Sequence, residues 1–153
     1  MFSYLDTTTV NITDVDFNAS QLNTVVAPAT PIGHLAVVAF KAKNSTILLK
    51  NVPVDFKAVE YVNESSAFIY SSENTSVTLD NVTITSSITG TMETFASISG
   101  VVLTSNFSMT SLTLKSTAIV TVEYKSGMFI NVTSSKIDIT TSSIEDVDSG
   151  NYS

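Results

Sequence analysis

The chain has no cysteine, no tryptophan and no arginine, and only one histidine, five glycines and three prolines in 153 residues. Without cysteine there is no disulfide staple, no thiolate nucleophile and no Cys-based zinc site. The single histidine, His34, excludes a multi-His metal centre. A net charge of −7 with no arginine leaves no basic footprint for a nucleic acid and no bidentate guanidinium to read a base edge. Charge of either sign is scarce, at 14% of residues, against roughly 25% in an average soluble protein. No run of 18 apolar residues occurs, so no helical membrane span is expected. The start, Met1-Phe2-Ser3-Tyr4-Leu5-Asp6, has neither a basic n-region nor an apolar h-region, so no secretion signal is expected in this stretch.

What the chain has instead is hydroxyl groups. Serine and threonine together fill 45 positions, 23 and 22 respectively, beside 43% hydrophobic residues and a mean hydropathy of +0.28. Eleven asparagines occur, and nine open Asn-x-Ser/Thr with no proline at x, namely Asn11, Asn18, Asn44, Asn63, Asn74, Asn81, Asn106, Asn131 and Asn151. Random placement at this composition would make about three of them sequons. The excess predicts N-glycosylation and an extracellular or cell-surface location. Asparagine and Ser/Thr also co-occur at turns and strand edges for structural reasons. With no secretion signal in view, a mature fragment or an interior segment is expected.

The hydrophobic pattern has period 2, not 3.6. Val77-Thr78-Leu79-Asp80-Asn81-Val82-Thr83-Ile84 alternates, breaks at a polar bend, and alternates again. Val10 to Phe17 and Ile47 to Val54 repeat the template, and Leu112 to Ile119 and Ile137 to Ile144 are weaker copies. Starts at 10, 47, 77, 112 and 137 predict an internal repeat of variable length. A second element precedes each copy: Ala36-Val37-Val38-Ala39-Phe40, Ala67-Phe68-Ile69-Tyr70, Gly100-Val101-Val102-Leu103 and Gly127-Met128-Phe129-Ile130. Gly150-Asn151-Tyr152 begins another such element. Loops over 21–33, 56–65 and 86–95 are expected to absorb the differences in spacing. Periods of 20 to 50 residues point to a solenoid or propeller before a sandwich.

These residues, above all Ser66 to Tyr70 with Val77 to Ile84 and Gly127 to Ile130 with Ile137 to Ile139, resemble the right-handed parallel β-helix repeats of the pectin lyase-like superfamily. The closest likeness is to its Ser/Thr/Asn-rich surface-protein branch. The resemblance implies three strands per coil, stacked in register with side chains in ladders. The expected fold is all-β, a single β-helix segment of about five rungs over 1–153. It would belong to a longer solenoid or a stacking filament subunit, with an antiparallel β-sandwich as the alternative.

Stacking predicts inward columns Val10/Ile47/Val77/Leu112/Ile137 and Ile12/Leu49/Leu79/Leu114/Ile139. It predicts a bend column Asp14/Asn51/Asn81/Ser116/Thr141, where small polar side chains and the left-handed tolerance of asparagine suit a turn. Asn81, as a bend residue, is open to burial in its ladder despite its sequon. Five rungs at about 4.8 Å make a prism roughly 24 Å tall, with unpaired strand edges at both ends. No capping helix or charged plug is evident at either terminus, so chain continuation or end-to-end stacking with another copy is expected.

By resemblance, lyases of this superfamily use a basic residue beside calcium-binding carboxylates, and hydrolases use clustered Asp. The outward column Thr13-Lys50-Asp80-Lys115-Thr140 reads as a solvated face with offsetting charges. Glu145, Asp146 and Asp148 lack the glycine turn and bidentate acid of a known calcium loop and read as a solvated loop. Asp14 and Asp16 read as two carboxylates on one strand face, and His34 as a loop residue. The eight phenylalanines and five tyrosines read as core ladders, and Lys41, Lys43, Lys50 and Lys57 as a mild local patch.

The expectation is therefore a non-enzymatic structural or adhesive glycoprotein, with no catalytic residue, no metal and no cofactor. Its partners would be itself, by end-to-end or lateral stacking, and covalent N-glycans. A polysaccharide lyase or hydrolase fragment, and a surface ligand-binding module using loops 21–33 and 86–95, are the alternatives.

Overall fold

The computed structural model describes residues 2–20, 32–36, 38–58, 62–66, 68–88, 92–118, 122–126 and 128–148. Alternating Val, Ile, Thr and Phe over short stretches suit pleated, half-buried surfaces, and strands are what form. In chain order they are β1 (Phe2–Asp6), β2 (Thr9–Thr13), β3 (Phe17–Ser20), β4 (Ile32–Ala36), β5 (Ala39–Lys43) and β6 (Thr46–Ala58). Then come β7 (Val62–Ser66), β8 (Ile69–Glu73), β9 (Ser76–Ile88), β10 (Met92–Ala96), β11 (Ser99–Leu103) and β12 (Asn106–Thr110). The last five are β13 (Thr113–Ala118), β14 (Val122–Ser126), β15 (Phe129–Thr133), β16 (Lys136–Thr140) and β17 (Ser143–Asp148). No helix occurs among the described residues.

Three open sheets result. One runs β1-β5-β8-β11-β15 and a second runs β4-β7-β10-β14. In the third, β6 and β9 lie side by side as long strands; β2 and β3 pair with β6, β12 and β13 with β9, and β16 and β17 with β12 and β13. Every pairing among the described strands is parallel. An antiparallel sandwich does not fit this. Each pass of the chain through the described strands adds at most one strand to each of the first two sheets and one long strand or two short ones to the third, an all-β stack of repeats compatible with a β-helix-like solenoid.

The register corrects the repeat length. Val10 pairs with Ile47, Ile47 with Val77, Val77 with Phe107 and Phe107 with Ile137, so the steps are 37, 30, 30 and 30 residues. The period is fixed, not variable, from the second rung onward. The seven additional residues of the first step fall between Ser20 and Ile32, since Phe17 pairs with Val54 across 37 positions and Ile32 with Val62 across 30. The fourth template copy runs from Phe107 to Leu114, not from Leu112 onward. The inward columns therefore read Val10/Ile47/Val77/Phe107/Ile137 and Ile12/Leu49/Leu79/Met109/Ile139, and Leu114 stacks on Ile84 and Val54 instead.

Two further expectations change. The segments 56–65 and 86–95 are not long loops: they end and begin strands, and Val62–Ser66 and Met92–Ala96 belong to the four-stranded sheet. Of 21–33, residues 21–31 lie outside the described residues, and Ile32 and Gly33 are in β4. His34 is likewise in β4, paired in register with Glu64, and not in a loop.

Left-handed backbone turns the corners. Thr7, Asn44, Asn74, Thr104 and Ser134 have φ of 48–51° where the first sheet hands the chain to the third. Asp14, Asn51, Asn81, Ser111 and Thr141 have φ of 50–56° in the middle of the third sheet. That conformation costs roughly 1–2 kcal/mol for most L-residues and least for Asn and Asp. The bend column was anticipated except that Ser111, not Ser116, occupies it. The residue after each of the first set closes the corner with its hydroxyl. Ser45, Thr75, Ser105 and Ser135 each donate to the carbonyl two residues back, at 2.7–2.9 Å. Three of those hydroxyls also accept an N–H from the preceding rung: Thr8 N to Ser45 Oγ, Thr75 N to Ser105 Oγ, and Ser105 N to Ser135 Oγ. These otherwise orphaned corner amides are satisfied by hydroxyls that repeat every rung.

The core fills the space between the sheets. Ile47, Leu49, Val54 and Phe56 stack on Val77, Leu79, Ile84 and Ser86, while Ile69 and Val102 in the first sheet, and Phe68 and Ile98 at the bends just before its strands, close the core from the other side; all are buried. Burying each large apolar side chain contributes roughly 1.5–3 kcal/mol. One position in the first sheet depends on glycine. The Phe40 and Tyr70 rings stack at 5.0 Å between centroids, nearly parallel, and Tyr70 leans over Gly100. A Cβ on Gly100 would lie 2.6 Å from Tyr70 Cε2.

Candidate functional site

The outer face of the third sheet and its two bends hold most of the described chemistry. Two amide ladders run along it. Asn74 Nδ2 donates to Asn44 Oδ1 at 2.8 Å, and Asn44 Nδ2 donates to Asp6 Oδ1 at 3.3 Å. In the parallel ladder, Asn81 Nδ2 donates to Asn51 Oδ1 at 2.8 Å, and Asn51 Nδ2 donates to Asp14 Oδ1 at 2.9 Å. Both ladders thus point their N–H groups toward the first rung, where a carboxylate receives them. Charge-assisted bonds of this kind are roughly twice as strong as neutral ones. Asp14 is a bend residue with φ of 56°, not a strand residue, and Asp16 follows in the connection between β2 and β3.

The nine sequons fall into groups. Asn44, Asn74 and Asn81 stand in the ladders and are exposed, so Asn81 is a ladder residue without being buried. Asn11, Asn106 and Asn131 stand on strands β2, β12 and β15 and are exposed. In two of these the sequon threonine donates to its own asparagine, Thr13 Oγ1 to Asn11 Oδ1 at 3.4 Å and Thr133 Oγ1 to Asn131 Oδ1 at 3.3 Å. Asn18 lies in β3 and Asn63 in β7, and Asn151 lies outside the described residues.

The outward column expected to carry Lys115 reads Thr13-Lys50-Asp80-Thr110-Thr140. Lys115 belongs to the next column, with Asp55, Thr85 and Glu145. The slip comes from placing the fourth template copy five residues too late. Lys115 therefore does not share a column with Asp80, and the Lys-Asp-Lys ladder weighed for polysaccharide chemistry does not form. Lysines meet carboxylates of the next rung instead: Lys43 with Glu73 at 2.9 Å, Lys50 with Asp80 at 3.3 Å, and Lys115 with Glu145 at 3.8 Å. Each pair occupies one register position on adjacent strands. The hydrogen bond and charge of Glu73 push the Lys43 ammonium above its ordinary value. Lys136 pairs within its own strand, with Asp138 at 2.7 Å.

Glu145, Asp146 and Asp148 are in strand β17, not in a solvated loop. Among the described residues, no group of three or more His, Cys, Asp or Glu is placed to hold a metal ion. Nor is any helix among them long and apolar enough to cross a membrane. Sequence reasoning missed the first left-handed column. Its signal was present, as a pair of polar residues recurring at the rung spacing: Thr7-Thr8, Asn44-Ser45, Asn74-Thr75, Thr104-Ser105 and Ser134-Ser135. Comparison with protein-family models, with curated proteins and with solved structures found no match.

Proposed function

We propose that the chain is a segment of a non-enzymatic, N-glycosylated structural or adhesive protein of the cell surface or extracellular space. In this reading the stack is a right-handed parallel β-helix of the pectin lyase-like type, continuous over 1–153. It forms, or belongs to, a surface fibril.

The observation that supports it most is the division of labour set by the 30-residue register. Apolar residues occupy the inward columns, while all six sequons with described side chains are exposed. A sugar-bearing outer face keeps a chain with so few charges hydrated. The last rung also presents apolar side chains from columns that are buried one rung earlier, so a further rung or another copy stacked end to end extends the same columns. Lateral stacking of rods is the other mode of self-association.

Intact mass before and after deglycosylation tests the sugar. Secreted protein should exceed its 16.3 kDa polypeptide mass and return to it on treatment. No excess would remove the glycoprotein reading. Electron micrographs of native material should show elongated particles or fibrils, and compact monomers alone would remove the fibril reading.

A further inference from the structure

The six described sequons are not equivalent, and this bears on where sugar is attached. The inference rests on the glycoprotein reading above. We infer that N-linked glycans are carried by the strand sequons, Asn11, Asn106 and Asn131, and that the ladder sequons, Asn44, Asn74 and Asn81, remain unmodified in the folded protein.

A glycan is attached to Nδ2, and this is the atom the ladders use. At Asn74 and Asn81 Nδ2 lies 2.8 Å from the oxygen of the preceding rung, and at Asn44 it lies 3.3 Å from the Asp6 carboxylate. N-glycosylation leaves that nitrogen one hydrogen. If the hydrogen keeps the ladder bond, the first sugar is fixed against an adjacent rung about 4.8 Å away. If it does not, the ladder bond is lost. Either way, the modified side chain conflicts with its place in the stack.

At Asn11 and Asn131 the side-chain oxygen receives the sequon threonine, and the residue stands on an outward strand position. Each also has a half-buried aliphatic neighbour in its own column, Leu48 beside Asn11 and Val101 beside Asn131. The apolar face of a sugar ring packs on such a side chain and shields it from water. Asn106 is exposed at the start of β12, just after the Thr104-Ser105 corner, and its register position is not one of the ladder columns.

The test is peptide-level glycan mapping of the full chain secreted from a eukaryotic host. Sugar is expected on most molecules at Asn11, Asn106 and Asn131, and on few at the ladder positions. Asn11→Gln and Asn131→Gln should each remove one glycan mass and leave the melting temperature in place. Asn74→Gln should lower the melting temperature without removing a glycan. Full occupancy of Asn74 or Asn81 in folded, secreted protein would overturn the assignment while leaving the glycoprotein reading intact. Absence of sugar from every site would overturn both.

Discussion

The middle rungs and the last rung contain the same columns and differ in what lies beyond them. Val102, Met109 and Leu114 are 0%, 0% and 1% exposed, whereas their successors Val132, Ile139 and Ile144 are 44%, 40% and 47% exposed. The residue types are equivalent, and so are the strand positions. Burial in this fold is therefore conferred by the adjacent rung and not by the side chain, as expected where each repeat contacts only its neighbours. The first rung is intermediate, with Leu5 buried and Val10 and Ile12 partly so.

The largest expected effect separates the two regions directly. Leu79→Ala in the middle should cost about 2–5 kcal/mol, the range for a buried leucine, while Ile139→Ala in the same column should cost less than about 1 kcal/mol. Urea denaturation of both variants measures this. Equal losses would mean that something covers the last rung in solution.

Gly100→Ala comes next, because its Cβ would meet the Tyr70 ring at 2.6 Å. A loss of about 1–3 kcal/mol is expected from overpacking. The double variant with Tyr70→Ala should show strong coupling, since the clash is then gone. Additive losses would place the cost elsewhere.

Smaller effects belong to the bends. Asn81→Ala forfeits the ladder bond to Asn51 and places alanine at a φ of 53°, for a loss of about 1–2 kcal/mol. Ser111 occupies the next rung of that column at the same φ, so Ser111→Asn should extend the ladder and stabilise by about 0.5–1.5 kcal/mol. A destabilised Ser111→Asn would show that the ladder geometry holds only near the carboxylate end.

The smallest is electrostatic. Glu73 raises the Lys43 pKa, so the pair contributes stability that is fully present below lysine's ordinary value of 10.5 and is lost as pH rises through the higher folded value. Lys43→Gln should abolish that alkaline loss and change little at neutral pH, as expected of an exposed pair. Thermal melts across the alkaline range provide the check.

Strand periodicity made much of this architecture legible. Asn81, Asn51 and Asp14 marked one bend from sequence alone, because few residues accept left-handed backbone and these do. Two things were obscured. Asn106-Phe107-Ser108-Met109-Thr110 fills its inward column with an aromatic ring and a thioether, while Leu112 and Leu114 nearby imitate the aliphatic template. That five-residue slip made a fixed 30-residue period look irregular and placed Lys115 in the wrong column. The second was the four-stranded sheet. Val62-Asn63-Glu64-Ser65-Ser66 and Val122-Glu123-Tyr124-Lys125-Ser126 are short and mostly polar, and their pairing is set by the strands on either side rather than by their own pattern. For the outer face, residue identities were readable but their grouping was not. Whether an asparagine belongs to a ladder or stands free depends on the residue 30 positions away.

The fixed period also has a mechanical consequence. In a stack where every strand is hydrogen-bonded only to the rungs above and below, a force applied to the two ends of the chain acts on the terminal rung first. Each rung that detaches from the second onward releases 30 residues, a contour length of about 100 Å, and the first releases 37. Stretching such a rod yields a series of similar steps instead of a single rupture, so the material extends while the remaining rungs continue to bear load.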